Sequence, residues 1–217
     1  SIFLFGSFQK EVTKAIDNYI LNYPNSDKSF FNIIDIGSNI GDKSLSLTRE
    51  LLDKKIYNFK IFSIEPTDYA FKKQIKNINL NPILKKKVLP FKYFIFNNKI
   101  KHKKIYSSWS LINNKNSHKV HRGILKNVSR STKNISLDDF IKKNKIKNQI
   151  ILKIDVDGFE MGVLKSSIKT LKKMSPIIFM EYAPYLFYEH GSSIKEFNNF
   201  LKEYNYKIFD LNFKKLN

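Results

Sequence analysis

The stretch 31-FNIIDIGSNIGDKSLSLTRE-50 decides how this chain folds. Its apolar, β-branched run at 33–36 is interrupted only by Asp35, which is typical of a strand covered on both faces of a parallel sheet. Gly37 and Gly41 then bound a short turn, and helical spacing follows at Ile40, Ser44, Leu47 and Leu51. The stretch predicts a strand, a glycine-rich turn and a helix, which together bring backbone N–H groups and a helix N-terminus to a ligand.

The composition is that of a globular chain. The 217 residues are 42% hydrophobic and include 19 Phe and 11 Tyr, which suffices for one domain with a core, so we expect a single domain over 1–217. No apolar run approaches the roughly 18 residues that a membrane span needs. The N-terminal stretch lacks the basic residues and cleavage site of a signal peptide.

The chain has no cysteine, which excludes disulfides and thiol nucleophiles. Together with the absence of a signal peptide, this composition fits a reducing compartment and predicts a cytoplasmic location. Since the sequence does not begin with methionine, we expect the chain to be processed or excised from a longer one.

The net charge of +20 has two explanations. One is a surface for nucleic acid or another polyanion. The other is compositional drift, because only three of the 39 basic residues are Arg, and Lys, Asn and Ile are abundant together, as AT-rich codons favour. Proteins that read nucleic acids depend more on Arg, so the charge favours drift and leaves a polyanion surface as the alternative.

Apolar runs and helical spacings alternate along the chain. Strands are predicted at about 32–36, 60–66, 88–96, 149–158, 176–182 and 206–213. Helices are predicted at 8–22, after the first strand to about 53, around 71–78, around 164–171 and around 194–204. This alternation predicts an α/β fold, a doubly wound, mostly parallel Rossmann-like sheet with helices on both faces.

Residues 97–136 interrupt the alternation with a polar, basic insertion. The segment is either a solvated hairpin or a flap that recruits the substrate. Its aromatic, histidine and arginine side chains favour the flap slightly. The candidate substrate contacts are Trp109, His118, His121 and Arg122.

An acidic residue lies at the end of each of four predicted strands, although the chain has only 19 acids against 39 bases. These residues are Asp35, Glu65, Asp155 with Asp157, and Glu181. Ligands of α/β sheets bind beyond the carboxyl ends of the strands, where the strand order switches. The acids are therefore expected to gather around a ligand.

A nucleoside cofactor explains the first two acids. Glu65 lies 24 residues after Gly41, where a carboxylate accepts hydrogen bonds from ribose hydroxyls. The turn is G-x-x-x-G rather than G-x-G-x-x-G, and Asp35 and Asp42 would repel a pyrophosphate. S-adenosylmethionine, with an ammonium, a sulfonium, a ribose and no phosphate, suits these acids better. Taken singly, Asp35 could cap the loop and Glu65 could pair with a lysine.

Five segments resemble, in order, the successive motifs of the FkbM family of methyltransferases, part of the class I S-adenosylmethionine-dependent superfamily. The match covers about residues 31–182, and KIDVDGFEMGVL (153–164) resembles the most distinctive motif. The segments are IIDIGSNIGDKSL (33–45), IFSIEPTDYAFKKQIKNINLN (61–81), ISLDDFI (135–141), ILKIDVDGFEMGVLKSS (151–167) and IIFMEY (177–182).

The resemblance implies a class I methyltransferase sheet and methylation of hydroxyl groups, often on sugars, glycolipids or polyketide-like products. It implies a loop around the methionine part of the cofactor, a ribose contact at Glu65, and Asp155 beside the transferring methyl. The residues predicted to bind the cofactor are Asp35, Gly37, Ser38, Asn39, Gly41, Ser44, Glu65, Pro66 and Asp155.

The chain departs from the family pattern in three places. The 97–136 segment is unusually basic, and the residues at 93–97 are bulky where small ones are more usual. The sequence also stops just after the sixth predicted strand, so we expect the antiparallel seventh strand of the superfamily to be absent. The first two departures bear on the acceptor and the third on the edge of the fold.

Other kinds of methyl transfer fit less well. Amino-methylation of bases generally uses an Asn/Asp-Pro-Pro-aromatic motif where this chain has 155-DVDG-158, and carbon-5 methylation of pyrimidines needs a cysteine. Transfer to a hydroxyl needs positioning and a base, and no metal. Asp155 is the first candidate base, followed by Glu181 and then by His118, His121 and His190. Asp157 and Glu160 could instead cap the following helix.

The predicted partner is therefore a small molecule or glycan that offers a hydroxyl. An RNA ribose or rRNA methyltransferase is the main rival, because it would use the basic surface. A non-catalytic cofactor-binding protein with the same fold is the second rival. A nucleotide-dependent oxidoreductase is disfavoured by the loop pattern, and no oligomeric state is predicted.

Overall fold

The structure, a computed structural model, describes residues 10–26, 28–97, 104–106, 125–127, 129, 131–182, 187–188 and 190–215. The described strands are β1 Phe31–Ile36, β2 Phe59–Ile64, β3 Val88–Phe91, β4 Tyr93–Ile95, β5 Lys104–Tyr106, β6 Leu125–Asn127, β7 Lys133–Ile135, β8 Gln149–Ile154 and β9 Ile177–Met180. The described helices are α1 Lys10–Leu21, α2 Asp42–Asp53, α3 Asp68–Asn79, α4 Pro82–Lys85, α5 Leu137–Lys143, α6 Glu160–Lys165, α7 Ile168–Met174 and α8 Ile194–Glu203. None of these helices has the length and apolar character needed to cross a membrane.

Five strands form one parallel sheet in the order β3-β2-β1-β8-β9. β1 lies in the centre, and all six of its residues are buried. The chain order reverses between β1 and β8, so a crevice lies beyond the carboxyl ends of these two strands. The predicted doubly wound α/β fold is confirmed.

Helices cover both faces of the sheet, as the alternation along β1 requires. On one face Ile36 belongs to the core cluster that includes Phe140 of α5. On the other face Ile33 belongs to the cluster that includes Ile16 of α1 and Leu51 of α2. A strand that is buried on both sides cannot alternate apolar with polar residues, which explains its nearly continuous apolar run.

The third predicted strand, at 88–96, is in fact two strands. β3 is the edge strand beside β2, whereas β4 pairs in parallel with β7 in a separate two-stranded sheet. Pro90 cannot donate to a ladder, which suits an edge strand. Lys92 separates β3 from β4, and its ammonium pairs with Asp68 at the start of α3.

The predicted sixth strand at 206–213 is wrong. The described residues there form one isolated antiparallel bridge, between Phe209 and Lys215, and pair with no strand of the sheet. Asp210 is the reason, because its carboxylate accepts the backbone N–H groups of Asn212 and Lys214 and closes a local turn. Such local side-chain bonds compete with a strand ladder.

The turn after β1 brings two backbone segments unusually close. Gly37 has φ +80°, and a Cβ on it would lie 1.8 Å from the carbonyl oxygen of Asp155. The N–H groups of Gly37 and Ser38 both donate to the carbonyl of Ile64 at 3.0 Å. The end of β1 is therefore attached to β2 and pressed against the end of β8, and only glycine fits there.

We predict that Gly37→Ala destabilises the protein by at least about 3 kcal/mol, because the side chain meets backbone and the conformation is left-handed. Gly191→Ala is the matched control, since Gly191 also has positive φ but a Cβ placed on it would have no atom within 4 Å. That control should cost only about 1 kcal/mol. Urea unfolding followed by circular dichroism measures both, and equal losses would contradict the close approach.

Candidate functional site

The loop between β1 and α2 contains three residues in the left-handed backbone conformation. Gly37, Asn39 and Gly41 have φ values of 80°, 49° and 81°. Gly41 precedes the first turn of α2, and its N–H donates to the carbonyl of Ser38 at 2.8 Å. The loop is thus compact and places the N-terminus of a 12-residue helix at the crevice.

Glu65 follows β2 and lies against this loop. The residue is only 4% exposed, and its carboxylate accepts hydrogen bonds from the N–H of Asn39 at 3.0 Å and the N–H of Thr67 at 2.8 Å. The Thr67 hydroxyl donates to it as well. Burial raises the pKa of Glu65, against the lowering effect of these bonds. The carbonyl of the adjacent Pro66 accepts from the hydroxyl of Thr132 at 2.7 Å.

A buried network of polar side chains lies beneath the loop. Ser44 donates to Asp35 at 2.6 Å and lies 2.7 Å from the hydroxyl of Ser63. Gln74 of α3 donates to both Ser63 and Ser38. The network joins α2, α3, β1 and β2 behind the loop and fixes its serines in place.

Lys153 in β8 is a buried cation of the site. Its ammonium lies 3.1 Å from Oδ1 of Asp35 and 3.1 Å from Oδ2 of Asp155. It also donates to the carbonyl of Gly37 at 3.4 Å. A second ammonium, on Lys43 of α2, lies 3.8 Å from Oδ2 of Asp155. Two acids that were expected to meet are therefore joined by a lysine.

Asp155, Asp157 and Glu181 form a carboxylate cluster at the ends of β8 and β9. One carboxylate oxygen of each lies within 4.8 Å of those of the others. Burial opposes ionisation of Asp155, but Lys153 and Lys43 lower its pKa below the ordinary value. Desolvation, followed by the charge and hydrogen bond of Asp155, raises the pKa of Glu181 to about 7. The two neighbouring carboxyls thus titrate in different pH ranges.

The carboxylate spacing in this cluster could also suit a divalent cation. A group of acids does not by itself identify a metal site, and the ammonium groups of Lys153 and Lys43 already offset part of its charge. We therefore assign no metal to it.

Glu160 stabilises the turn that carries the cluster. Its Oε1 accepts from the N–H groups of Val156 and Gly158, both at 3.2 Å. The residue is 1% exposed, and burial raises its pKa. Both donors precede α6, so Glu160 holds the turn before the helix, and Asp157 lies in that turn with φ 49°. A helix-capping role for Glu160 or Asp157 stays a prediction.

An apolar cluster lies next to the carboxylates. Phe94, Ile105 and Phe159 are buried in it, with Phe96 and Val156 packed against them. Gly162 makes room for it, because a Cβ there would lie 1.6 Å from the Phe96 ring. Since Ile105 belongs to the insertion, the described part of that segment is anchored beside the site. Of the bulky residues noted at 93–97, Phe94 and Phe96 pack in this cluster, whereas Tyr93 and Ile95 pack in the main core.

The predicted substrate contacts Trp109, His118, His121 and Arg122 lie outside the described residues. His190 is described, and its ring centroid lies 4.1 Å from that of Phe159 in the apolar cluster. The roles of these residues remain predictions. The structure brings together Asp35, Glu65, Asp155 and Glu181 on one edge of the sheet, as expected from the strand ends.

Sequence reasoning missed Lys153, Lys43, Ser63, Gln74 and Thr67. A signal existed for the first of these, because Lys153 interrupts an otherwise apolar buried strand, as Asp35 does in β1. Two opposite charges inside two strands predicted to be neighbours could have indicated a buried pair. No comparable signal marked Gln74, which resembles any polar residue of an amphipathic helix.

Comparisons with known proteins identify the family. The family model described as the Methyltransferase FkbM domain matches residues 35–208. No curated protein sequence matched the chain. The solved structure of a methyltransferase FkbM from Methylobacillus flagellatus KT is 15% identical, with a TM-score of 0.45, over 85% of this chain and 41% of that one. This chain therefore spans less than half the length of that protein.

A second solved structure is a candidate S-adenosyl-L-methionine-dependent methyltransferase from Methanococcus maripaludis. It is 14% identical, with a TM-score of 0.36, and the alignment covers 93% of this chain and 80% of that one. The match of the family model over most of the chain confirms the resemblance first seen in its motifs. This chain belongs to the FkbM family of methyltransferases.

Proposed function

We propose that this chain binds S-adenosylmethionine and transfers its methyl group to a hydroxyl of a small molecule or glycan. The single observation that best supports this function is that two groups of residues, each at the carboxyl ends of strands, adjoin the same crevice. The Gly37–Gly41 loop and Glu65 adjoin one side of it, and the Asp155–Glu181 pair adjoins the other. A cytoplasmic location, predicted from the composition, is part of the same proposal.

The residues present fit the cofactor. Glu65 accepts three hydrogen bonds, and a carboxylate has about four acceptor positions, so it retains capacity for a ribose hydroxyl. The buried acids Asp35 and Asp42 next to the loop disfavour a phosphate and suit a cationic group. When bound, S-adenosylmethionine supplies a methyl group on a sulfonium.

Asp155 and Glu181 have different roles in the proposed transfer. Asp155 stays ionised because of its two ammonium neighbours, so its negative charge is available on the reacting side of the crevice. Glu181 is exposed at its end of the cluster and has the higher pKa, which suits acceptance of the hydroxyl proton near neutral pH. Transfer then depends mainly on the alignment of the hydroxyl with the methyl group.

The insertion at 97–136 is the segment proposed to bind the methyl acceptor. In support, Ile105 of that segment packs with Phe159, three residues before Gly162 and four after Asp155. Trp109, His118, His121 and Arg122 are the proposed acceptor contacts. A transfer screen with labelled cofactor against glycans, lipids and RNA tests the class of acceptor, and transfer to RNA alone would favour the rival enzyme.

We predict that the protein binds S-adenosylmethionine or its demethylated product in calorimetry and does not bind NAD comparably. Glu65→Ala should weaken binding about a hundredfold, because charge-assisted hydrogen bonds contribute about 1.5–3 kcal/mol each. Glu203→Ala, at the exposed end of α8, is the control and should bind as the parent does. A Glu65→Ala variant with parental affinity would show that Glu65 only holds the loop.

We predict that Asp155→Asn folds normally but loses transfer rate by roughly a hundredfold or more, the usual scale for the loss of a positioned electrostatic group. Asp53→Asn, at the exposed end of α2, is the control. A rate within a few-fold of the parent would contradict a role for Asp155 in the reaction.

Transfer should also survive a chelator, and a loss restored by Mg²⁺ would make the carboxylate cluster a metal site.

We predict that the Glu181 carboxyl titrates near pH 7, measured by NMR of ¹³C-labelled side chains. Folded Glu181 then holds a proton that the unfolded chain releases near its ordinary pKa of 4.5. The free energy of unfolding should therefore fall as the pH rises between these values. Glu181→Gln should lose this dependence and Glu203→Gln should keep it, whereas a parental slope in Glu181→Gln would contradict the assignment.

A further inference from the structure

Of the lysines that the structure describes, Lys153 alone is buried. Its neighbours in β8 are apolar, and five of the six residues of that strand are buried. An ammonium in such a place is costly unless charged partners surround it. Lys153 has three oxygen partners, from the carboxyl end of β1, the turn after β1 and the turn after β8: Asp35 Oδ1, the Gly37 carbonyl and Asp155 Oδ2.

These partners belong to the two halves of the proposed site. Asp35 and Gly37 form the base of the cofactor loop, and Asp155 begins the carboxylate cluster. Burial alone would lower the pKa of Lys153, but Asp35 and Asp155 raise it above its ordinary value. Its ammonium is therefore a permanent charge between the loop and the cluster.

We propose that Lys153 is a positioning residue, whose ammonium holds the Asp155 carboxylate and the cofactor loop in one fixed arrangement. This inference rests on the proposed function for its role in transfer, but the arrangement itself is independent of the acceptor. Lys153 thereby supplies, from inside the sheet, the positive charge that a cation bound from the solvent side would supply to these carboxylates.

Lys43 does not duplicate this role. Its ammonium lies 3.8 Å from Asp155, against 3.1 Å for Lys153, and its side chain is more exposed. It also belongs to α2, whereas Lys153 lies in the same strand end as Asp155 and donates to the carbonyl of Gly37. Lys43 can therefore balance the charge of Asp155, and Lys153 in addition joins that charge to the loop.

The ionisation of Asp155 depends on every charged group that faces it. The attractive groups are Lys153 from β8 and Lys43 from α2, and the hydrogen-bonded neighbour is Glu181 after β9. Asp35 of β1 shares the ammonium of Lys153. Negative charge is added by Asp157 in the turn before α6 and by Glu160 at the first position of α6. Without Lys153, this surplus of acids would favour a proton shared between Asp155 and Glu181.

Lys153→Met alone leaves two buried acids without their cation and could simply fail to fold. The informative variant is Asp35→Asn/Lys153→Met. In the parent, Asp35, Lys153 and Asp155 carry −1, +1 and −1, a sum of −1, and in the double variant Asp155 alone carries the same −1. The amide oxygen that replaces the Asp35 carboxylate can still accept from Ser44, so the core should remain folded. Asp35→Asn is the reference, and Lys60→Met, on the exposed side of β2, is the control for the substitution itself.

The experiment compares these variants by urea unfolding, by NMR titration of ¹³C-labelled Asp and Glu carboxyls, and by calorimetry with S-adenosylhomocysteine. We expect the equilibrium constant for unfolding of the double variant to lie within a few-fold of that of Asp35→Asn. We expect the titration of Asp155 to move to higher pH and cofactor affinity to fall about tenfold or more relative to Asp35→Asn. Lys60→Met should change neither.

Two outcomes would overturn the inference. If the double variant keeps the Asp155 titration and the affinity of Asp35→Asn, Lys153 is only a counter-ion of the core. If it unfolds while Lys153→Met is folded and titrates like the parent, the pair is a stability element without influence on the site. Failure of the parent to bind S-adenosylhomocysteine would instead count against the proposed function, and the carboxyl titration would still test Lys153.

Discussion

The parallel register of β1 between its two neighbours is the constraint on which the site depends. In that register Asp35 lies opposite Ser63 of β2 and opposite Lys153 of β8. Paired residues of adjacent strands point to the same face, so strand pairing alone brings the acid, the lysine and the serine together beneath the loop. A slip by one residue would turn Lys153 toward the opposite apolar face, where Ile36 and Phe140 lie, and leave its charge unpaired.

The same constraint fixes the turns at the ends of the strands. Gly37 can approach the carbonyl of Asp155 only because β1 and β8 end at the same level, with the N–H of Asp155 donating to Ile36 at 3.0 Å. The N–H of Glu181 donates to Ile154 in the same way, one strand further along. Backbone pairing thus sets the separation of the acids, and side-chain charge then determines which of them keeps a proton. Lys153 and Lys43 lower the pKa of Asp155, whereas desolvation and the charge of Asp155 raise the pKa of Glu181 to about 7.

The elements that the sequence predicted well are those whose signal is local. The run at 33–36, two glycines and a helical spacing define β1, its turn and α2 without knowledge of the rest of the chain. Because strand ends meet at one edge of a parallel sheet, the acids after the strands could be expected to converge. The features that failed depend on partners elsewhere. The apolar alternation at 206–213 looks like a strand, but Asp210 closes a turn on itself, and no periodicity reveals which of two hydrogen-bond patterns is the more stable.

Lysine illustrates why position carries more information than composition. The chain has a net charge of +20, and most of the lysines that the structure describes are exposed to water, where substitution changes little. Lys153 differs because desolvation makes its charge unfavourable unless partners compensate it, so its presence in an apolar strand requires acids nearby. The requirement is reciprocal, since Asp35 at 3% exposure would be equally unfavourable without the ammonium. Each buried charge thus makes the other necessary, and together they tie the Gly37–Gly41 loop to the carboxylates at the ends of β8 and β9.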